Sequence, residues 1–185
     1  KALNDINGYT TGVVNASSVH TITGTAAEEV ITAYTANAAG TITGLGNEAV
    51  ILNQAVIFAG NFNSSLNSIN NIDAFTTGVI DVSAAQTFVG SAEDIIIAYA
   101  ANAAGTITGL GNEGVSITDT TINAKALNDI NGYTTGVVNA SSNNKTITGT
   151  AAEVIAAYAA NSTGNINGLG NEAVTLTDTS INASA

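Results

Sequence analysis

The pentapeptide Gly44-Leu45-Gly46-Asn47-Glu48 returns as Gly109-Leu110-Gly111-Asn112-Glu113 and again as Gly168-Leu169-Gly170-Asn171-Glu172. Gly-Thr-Ile-Thr leads into the first two copies and Gly164-Asn165-Ile166-Asn167 into the third. Each copy opens onto an alternating apolar run. A chain with this repetition must fold as a series of similar units. None is large enough to close a core alone, so each buries its apolar face against the next.

A longer period encloses the pentapeptide. Lys1 to Tyr9 recur as Lys125 to Tyr133, and Thr10-Thr11-Gly12 recur as Thr76-Thr77-Gly78 and Thr134-Thr135-Gly136. Three long repeats result, approximately 1–62, 63–124 and 125–185, each with two halves of about 30 residues. In the first half, Gly12 to Ala16 and Thr21-Ile22-Thr23 read as short strands with one face inward. Thr25 to Glu28, Ser91 to Asp94 and Thr150 to Glu153 read as capping boxes. The helices behind them carry Val30, Ile31 and Tyr34 on one face, repeated as Ile95, Ile96, Tyr99 and as Val154, Ile155, Tyr158, and end near Gly40, Gly105 and Gly164. The second half holds Thr41-Ile42-Thr43, the Gly-Leu-Gly-Asn-Glu turn and a strand at Val50-Ile51-Leu52, Val115-Ser116-Ile117 or Val174-Thr175-Leu176. It then enters the helix of Leu127, Ile130 and Tyr133, whose first copy is Leu3, Ile6 and Tyr9.

The fold expected is α/β: one solenoid over 1–185, of about six strand-turn-strand-helix coils. Two parallel β ladders pair every strand with its equivalent, and the helices form a wall. Val14, Ile22, Ile31, Tyr34, Ile42 and Leu45, with their copies, form the expected inward layer. Glu48 to Phe75 spans 27 residues, whereas Glu113 to Tyr133 spans 20. An insertion is therefore placed near 54–66, including Phe58 and Phe62, and is expected to bulge from the helical side.

Hydrophobic residues make up 45% of the chain, so a core can form, while charged residues are only 9% against an ordinary share of about 25%. The formal charge is −11, and Lys1, Lys125 and Lys145 are the only basic side chains besides one histidine. Such a surface cannot grip phosphates, which argues against nucleic acid and anionic membrane as partners. The apolar runs are too short to span a bilayer. With no cysteine, disulfides and thiolate metal sites are excluded. With no proline, nearly every residue can sit in a hydrogen-bonded lattice or a helix. No leader is visible at Lys1, so the sequence reads as a mature fragment or one segment of a longer chain.

Motifs that carry chemistry fare poorly. His20 is the sole histidine, so neither a metal triad nor a Ser-His-Asp set can form around it. Gly44-Leu45-Gly46 lacks the third glycine and the helix of a dinucleotide fingerprint, so no cofactor is expected. Glu48, Glu113 and Glu172 recur singly; they are the candidates for a weak calcium ladder, against the default of three like charges facing water. The sequons at Asn15, Asn63 and Asn139 are expected by chance in so Asn- and Ser-rich a chain. Outward threonines at Thr21/Thr23, Thr41/Thr43 and Thr106/Thr108 resemble an ice-binding array, but Val89 and Asn165/Asn167 break it. Polysaccharide-cleaving solenoids use Arg, Lys or paired acids in a groove. This chain offers almost none, and no enzyme is expected.

The ends are the remaining clue. Residues 1–9 form a helix that belongs to a preceding coil, and Ser180-Ile181-Asn182 stops where the next helix should begin. Neither end carries a polar capping repeat. Leu3, Ile6 and Tyr9 at one end, and Val174, Leu176 and Ile181 at the other, are the candidate stacking residues. The expected partner is another copy of the chain, joined end to end.

The run from Leu3 to Ser18, the Thr-Ile-Thr-Gly-Thr-Ala-Ala-Glu stretch and the segment Gly168 to Ile181 together resemble the tandem repeats of very large secreted or surface proteins of cyanobacteria. The likeness covers essentially the whole chain. It implies an extracellular or cell-surface location and a structural or adhesive role, and brings no catalytic residues. The expected function is a structural protein that stacks head to tail into a filament or surface layer; the alternative is an adhesin or ligand-binding module of a giant surface protein.

Overall fold

The computed structural model describes residues 1–60, 68–141 and 146–182. Among them are six helices, and the strand pairings are parallel throughout. The class is α/β, as expected. Short helices α1 (Ala2–Tyr9), α3 (Ile69–Asp73) and α5 (Ala124–Tyr133) alternate with longer α2 (Ala27–Ala38), α4 (Ala92–Ala104) and α6 (Ala151–Ser162), and each packs against the next in sequence.

The helix starts follow from local chemistry. Ser91 Oγ accepts the Asp94 N–H, and Thr150 with Glu153 closes a reciprocal capping box. The box expected at Thr25 to Glu28 does not form: the N-cap of α2 is Ala26, and Thr25 reaches the Glu29 carboxylate instead, at 3.0 Å from its hydroxyl. A second cap comes from the following half-repeat. Asp119 accepts the Ala92 N–H at 2.7 Å and Asp178 the Ala151 N–H at 2.7 Å, while Gln54 does the same for Ala27 at 2.9 Å. Helix α4 stops at Gly105, whose φ of 84° is left-handed.

The strands come as two-residue and four-residue pieces. The short ones are β1 (Val14–Asn15), β3 (Ile42–Thr43), β6 (Ile80–Asp81), β8 (Ile107–Thr108), β11 (Val138–Asn139) and β13 (Ile166–Asn167). The long ones are β2 (Thr21–Gly24), β4 (Ala49–Leu52), β7 (Thr87–Gly90), β9 (Gly114–Ile117), β12 (Thr146–Gly149) and β14 (Ala173–Leu176). Two further strands, β5 (Val56–Phe58) and β10 (Thr121–Asn123), precede the short helices α3 and α5.

Two continuous ladders were expected; four separate sheets are found, in orders β1-β3, β2-β4-β6-β8, β13-β11-β9-β7-β5 and β10-β12-β14. Within a long repeat, equivalents pair: β1 with β3, β2 with β4, β7 with β9. At each boundary the partner changes class. Long β4 pairs with short β6, and long β9 with short β11. The cause is the added strand. β5 supplies the edge on which β7 pairs, and β10 the edge for β12, so each new long repeat is displaced sideways by one strand. The sequence separation of partners adjusts accordingly, from 31 residues (Val56 to Thr87) to 23 (Val115 to Val138).

The insertion is also relocated. Val56–Phe58 is a strand paired with Val89 and its neighbours, not a bulge on the helical side. The extra residues fall between Phe58 and Phe75; Phe62 and the stretch 61–67 lie outside the described residues. One core runs the length of the chain, with Val50, Ile57, Ile80, Phe88, Ile107, Val115, Ile122, Val138, Ile147 and Ile166 buried in it. Ile31, Tyr34 and Ile42 are buried as expected, while Val14, Ile22 and Leu45 are half-buried.

Candidate stacking interface

The Gly-Leu-Gly-Asn-Glu turn is where one half-repeat meets the next. Its first glycine has φ of 89° at Gly44, 95° at Gly109 and 91° at Gly168, a region open to glycine at little cost. The same glycine presses on the half-repeat before it: a Cβ on Gly44 would stand 2.6 Å from Ser17 N and one on Gly109 2.5 Å from Ser83 N. Those serines sit in Asx turns, with their N–H groups held by Asn15 at 2.9 Å and Asp81 at 2.9 Å. The sequons at Asn15 and Asn139 are these turns; Asn63 lies outside the described residues.

The glutamates do not face water as a ladder. Glu48 and Glu113 are buried, each folded back inside its own turn. Glu48 accepts the Tyr34 hydroxyl, the Gly46 N–H at 2.9 Å and the Asn47 N–H at 3.2 Å. Glu113 accepts the Tyr99 hydroxyl and the amides of Gly111 and Asn112 at 2.8 and 3.0 Å. Glu172 repeats the set with Tyr158, Gly170 and Asn171, but at an open end and half-buried. These carboxylates are occupied by hydrogen-bond donors. Burial, then the Glu113 carboxylate, pushes the Tyr99 hydroxyl far up; the same causes raise Tyr34 through Glu48 and take Tyr158 to about 12 through Glu172. Burial alone would raise Glu172, but the Tyr158 hydroxyl and the turn amides outweigh it and hold it low.

The pair was missed in the sequence, although it left a signal there. A tyrosine stands fourteen residues before each glutamate, at Tyr34 and Glu48, Tyr99 and Glu113, Tyr158 and Glu172.

On this buried turn lies the segment that follows each short helix. Thr134 Oγ1 donates to Glu113 O at 2.7 Å, Thr135 N to Gly111 O at 2.9 Å, and Tyr133 packs on Tyr99 with centroids 5.2 Å apart. One repeat earlier, Thr76 donates to Glu48 O at 2.8 Å, Thr77 N to Gly46 O at 2.9 Å, and Phe75 stacks on Tyr34 at 5.5 Å. Strand edges join alongside, with Val115 N donating to Val137 O at 3.0 Å.

The two ends of the chain carry the two halves of this joint separately. Residues 1–18 are identical in sequence to 125–142. Inside the chain, Leu127 and Ile130 are fully buried; at the start, Leu3 is half-buried, Ile6 is 52% exposed and Tyr9 is 88% exposed. At the other end, Val174, Leu176 and Ile181 are 45%, 45% and 51% exposed, against 1%, 3% and 2% for their copies Val115, Ile117 and Ile122. Of the six stacking candidates named from the sequence, Leu3 is half-buried and the other five are exposed, each more so than its internal copy. Strand β14 pairs only with β12, whereas its copies β4 and β9 are paired on both sides, so among the described residues β14 presents a free edge; β13 ends its sheet just as its copies β3 and β8 do.

His20 is exposed on the approach to β2, its carbonyl taking the Ala49 N–H at 3.0 Å. Thr21, Thr23, Thr41, Thr43, Thr106 and Thr108 all face outward, but across the ladders Thr43 stands beside Asn15 and Thr108 beside Asp81. Among the described residues, no helix is long and apolar enough to cross a membrane, and no cluster of His, Asp and Glu has the makings of a metal site. No protein-family model, curated protein or solved structure matches this chain.

Proposed function

We propose that this chain is a self-stacking structural protein. Its parallel sheets wind as a sheared solenoid of about six coils, and copies join head to tail into a filament or a surface layer. The observation that carries this is the eighteen-residue identity of 1–18 with 125–142. The internal copy already sits on a half-repeat like the last one, through Thr134, Thr135, Tyr133 and the β9–β11 pairing. The receiving surface is kept as well: Tyr158, Gly170, Glu172 and Val174 stand for Tyr99, Gly111, Glu113 and Val115. Ala173 replaces Gly114, and Ala49 already fills that place in the first repeat.

Copying the internal joint puts Tyr9 of one copy on Tyr158 of another, Thr10 on the Glu172 carbonyl, Thr11 on the Gly170 carbonyl and Val14 beside Val174. It covers apolar side chains exposed at both ends and pairs the free edge of β14 with β1, a combination that drives edge-to-edge association. Self-association replaces chemistry as the task.

Sedimentation over a wide concentration range, followed by negative-stain microscopy, tests the reading. Filaments with a regular axial rise are expected at high concentration. A monodisperse monomer at every concentration overturns it.

A further inference from the structure

The cleft between α1 and β2 is the second half of the joint. It encloses about 180 Å³ and is lined by Leu3, Ile22, Val30 and Ala33 with the edge of β2, Thr21 to Thr23. β2 pairs with β4 on one side only. The copies of those four apolar residues are Leu127, Ile147, Val154 and Ala157, all buried in one core with Ile122. Ile122 is the centre of β10, which pairs with β12 in the register Thr121 to Thr146, Ile122 to Ile147 and Asn123 to Thr148. The cleft at the start of the chain is therefore the seat of a strand like β10, without the strand.

The chain carries a matching strand at its other end. Ser180-Ile181-Asn182 copies Thr121-Ile122-Asn123, on the same lead-in of Thr-Asp-Thr. Ile181 is half exposed there, whereas Ile122 is 2% exposed. We infer that Ser180-Ile181-Asn182 of one copy adds as a parallel strand to the edge of β2 of a second copy, with Ile181 filling the cleft. The register is Ser180 to Thr21, Ile181 to Ile22 and Asn182 to Thr23. The main-chain bonds of an added strand supply affinity, and one apolar anchor in a fitted cleft supplies register. This rests on the head-to-tail reading and specifies it: each joint has two contacts, the tyrosine-threonine surface and the strand seat. Their separation on the end face resists rotation of one copy on another.

The natural lack of cysteine makes the register measurable. Ser180 and Thr21 are both exposed, and partners on adjacent parallel strands lie about 4.8 Å apart, within disulfide reach, whereas partners two residues out of register are about 8 Å apart. The double variant S180C/T21C, oxidised in its assembled state, is expected to give a ladder of covalent multimers on a non-reducing gel. S180C/T23C is expected to give far less. Ile181→Asp, at a site exposed within the single chain, is expected to keep the circular dichroism spectrum and raise the concentration for half-assembly by at least about tenfold. Ile181→Val is expected to assemble close to normally. Assembly with no register preference in the cross-links, or unchanged by Ile181→Asp, overturns the strand seat and leaves the stacking reading standing. A chain that stays monomeric throughout overturns both.

Discussion

Gly136 lies against the carbonyl of Glu113 so closely that a Cβ would overlap the carbonyl oxygen and its carbon. Gly78 meets the Glu48 carbonyl in the same way. Both obstacles are backbone and cannot rotate aside. Gly136→Ala is expected to cost about 1–3 kcal/mol in chemical denaturation, as overpacking does. Gly12 is the copy of both, and a Cβ there meets nothing closer than its own Thr10 hydroxyl at 3.3 Å. Gly12→Ala should therefore leave the stability of the isolated chain unchanged. In a head-to-tail stack it would meet the Glu172 carbonyl, so sedimentation of the variant should show monomers at concentrations where the parent assembles.

The hydroxyl of Tyr99 and the carboxylate of Glu113 share a buried bond, and removing the hydroxyl leaves a carboxylate oxygen short of its donor. Tyr99→Phe is expected to destabilise by about 1–3 kcal/mol. Tyr158→Phe should cost less, because Glu172 keeps access to water at its open end. In the assembled state that access closes, so the two costs should converge when both variants are measured as stacks. Urea midpoints below and above the assembly concentration provide the comparison.

The same pairs set a limit at alkaline pH. Tyr34, Tyr99 and Tyr158 have hydroxyls raised above the ordinary value near 10, Tyr158 to about 12. The unfolded chain releases these protons first. Stability from the pairs is thus complete below pH 10 and is lost as the pH climbs through the raised values. Absorbance of tyrosinate at 295 nm, followed beside the far-ultraviolet dichroism, should show part of the tyrosine signal appearing only together with unfolding.

Period, turn glycines and the strand around Thr21-Ile22-Thr23 could be read from the sequence, because each is a local pattern repeated with little change; the helix face could be read only in part, since Ile31 is buried but its copy Ile96 is half-buried and its copy Ile155 is 67% exposed. The sideways shift of the sheets could not. It depends on β5 and β10, and a lone apolar residue between polar ones, as in Thr121-Ile122-Asn123, looks like a lead-in to the following helix. Yet it is the same signature as Thr21-Ile22-Thr23, and reading both alike would have supplied the extra strand. Glu48 and Glu113 misled for a different reason. A single charge beside glycines suggests solvent, and only the constant spacing from a tyrosine shows that a donor waits inside. Leu3 and Ile6 have internal copies, Leu127 and Ile130, of the same composition and fully buried, so their exposure at the start of the chain is a matter of position.

Asp119 offers a measure of how far one half-repeat stabilises its neighbour. Its carboxylate accepts the Ala92 N–H at 2.7 Å, at the first turn of α4, from the loop beyond β9. The orphan amides and positive end of the helix favour a carboxylate there. Asp119→Ala should cost about 0.5–2 kcal/mol, the usual worth of a helix cap. Asp119→Asn keeps an acceptor and should recover most of that. In the first half-repeat Gln54 makes the equivalent bond to Ala27 at 2.9 Å with a neutral oxygen, so Gln54→Ala should fall at the lower end of the range. Because each cap is lent by the half-repeat that follows, amide hydrogen exchange in Asp119→Ala should rise in the first turn of α4 while that of α2 stays as it was. A rise spread evenly over all helices would mean that the half-repeats unfold as one unit and that the cap carries no local share.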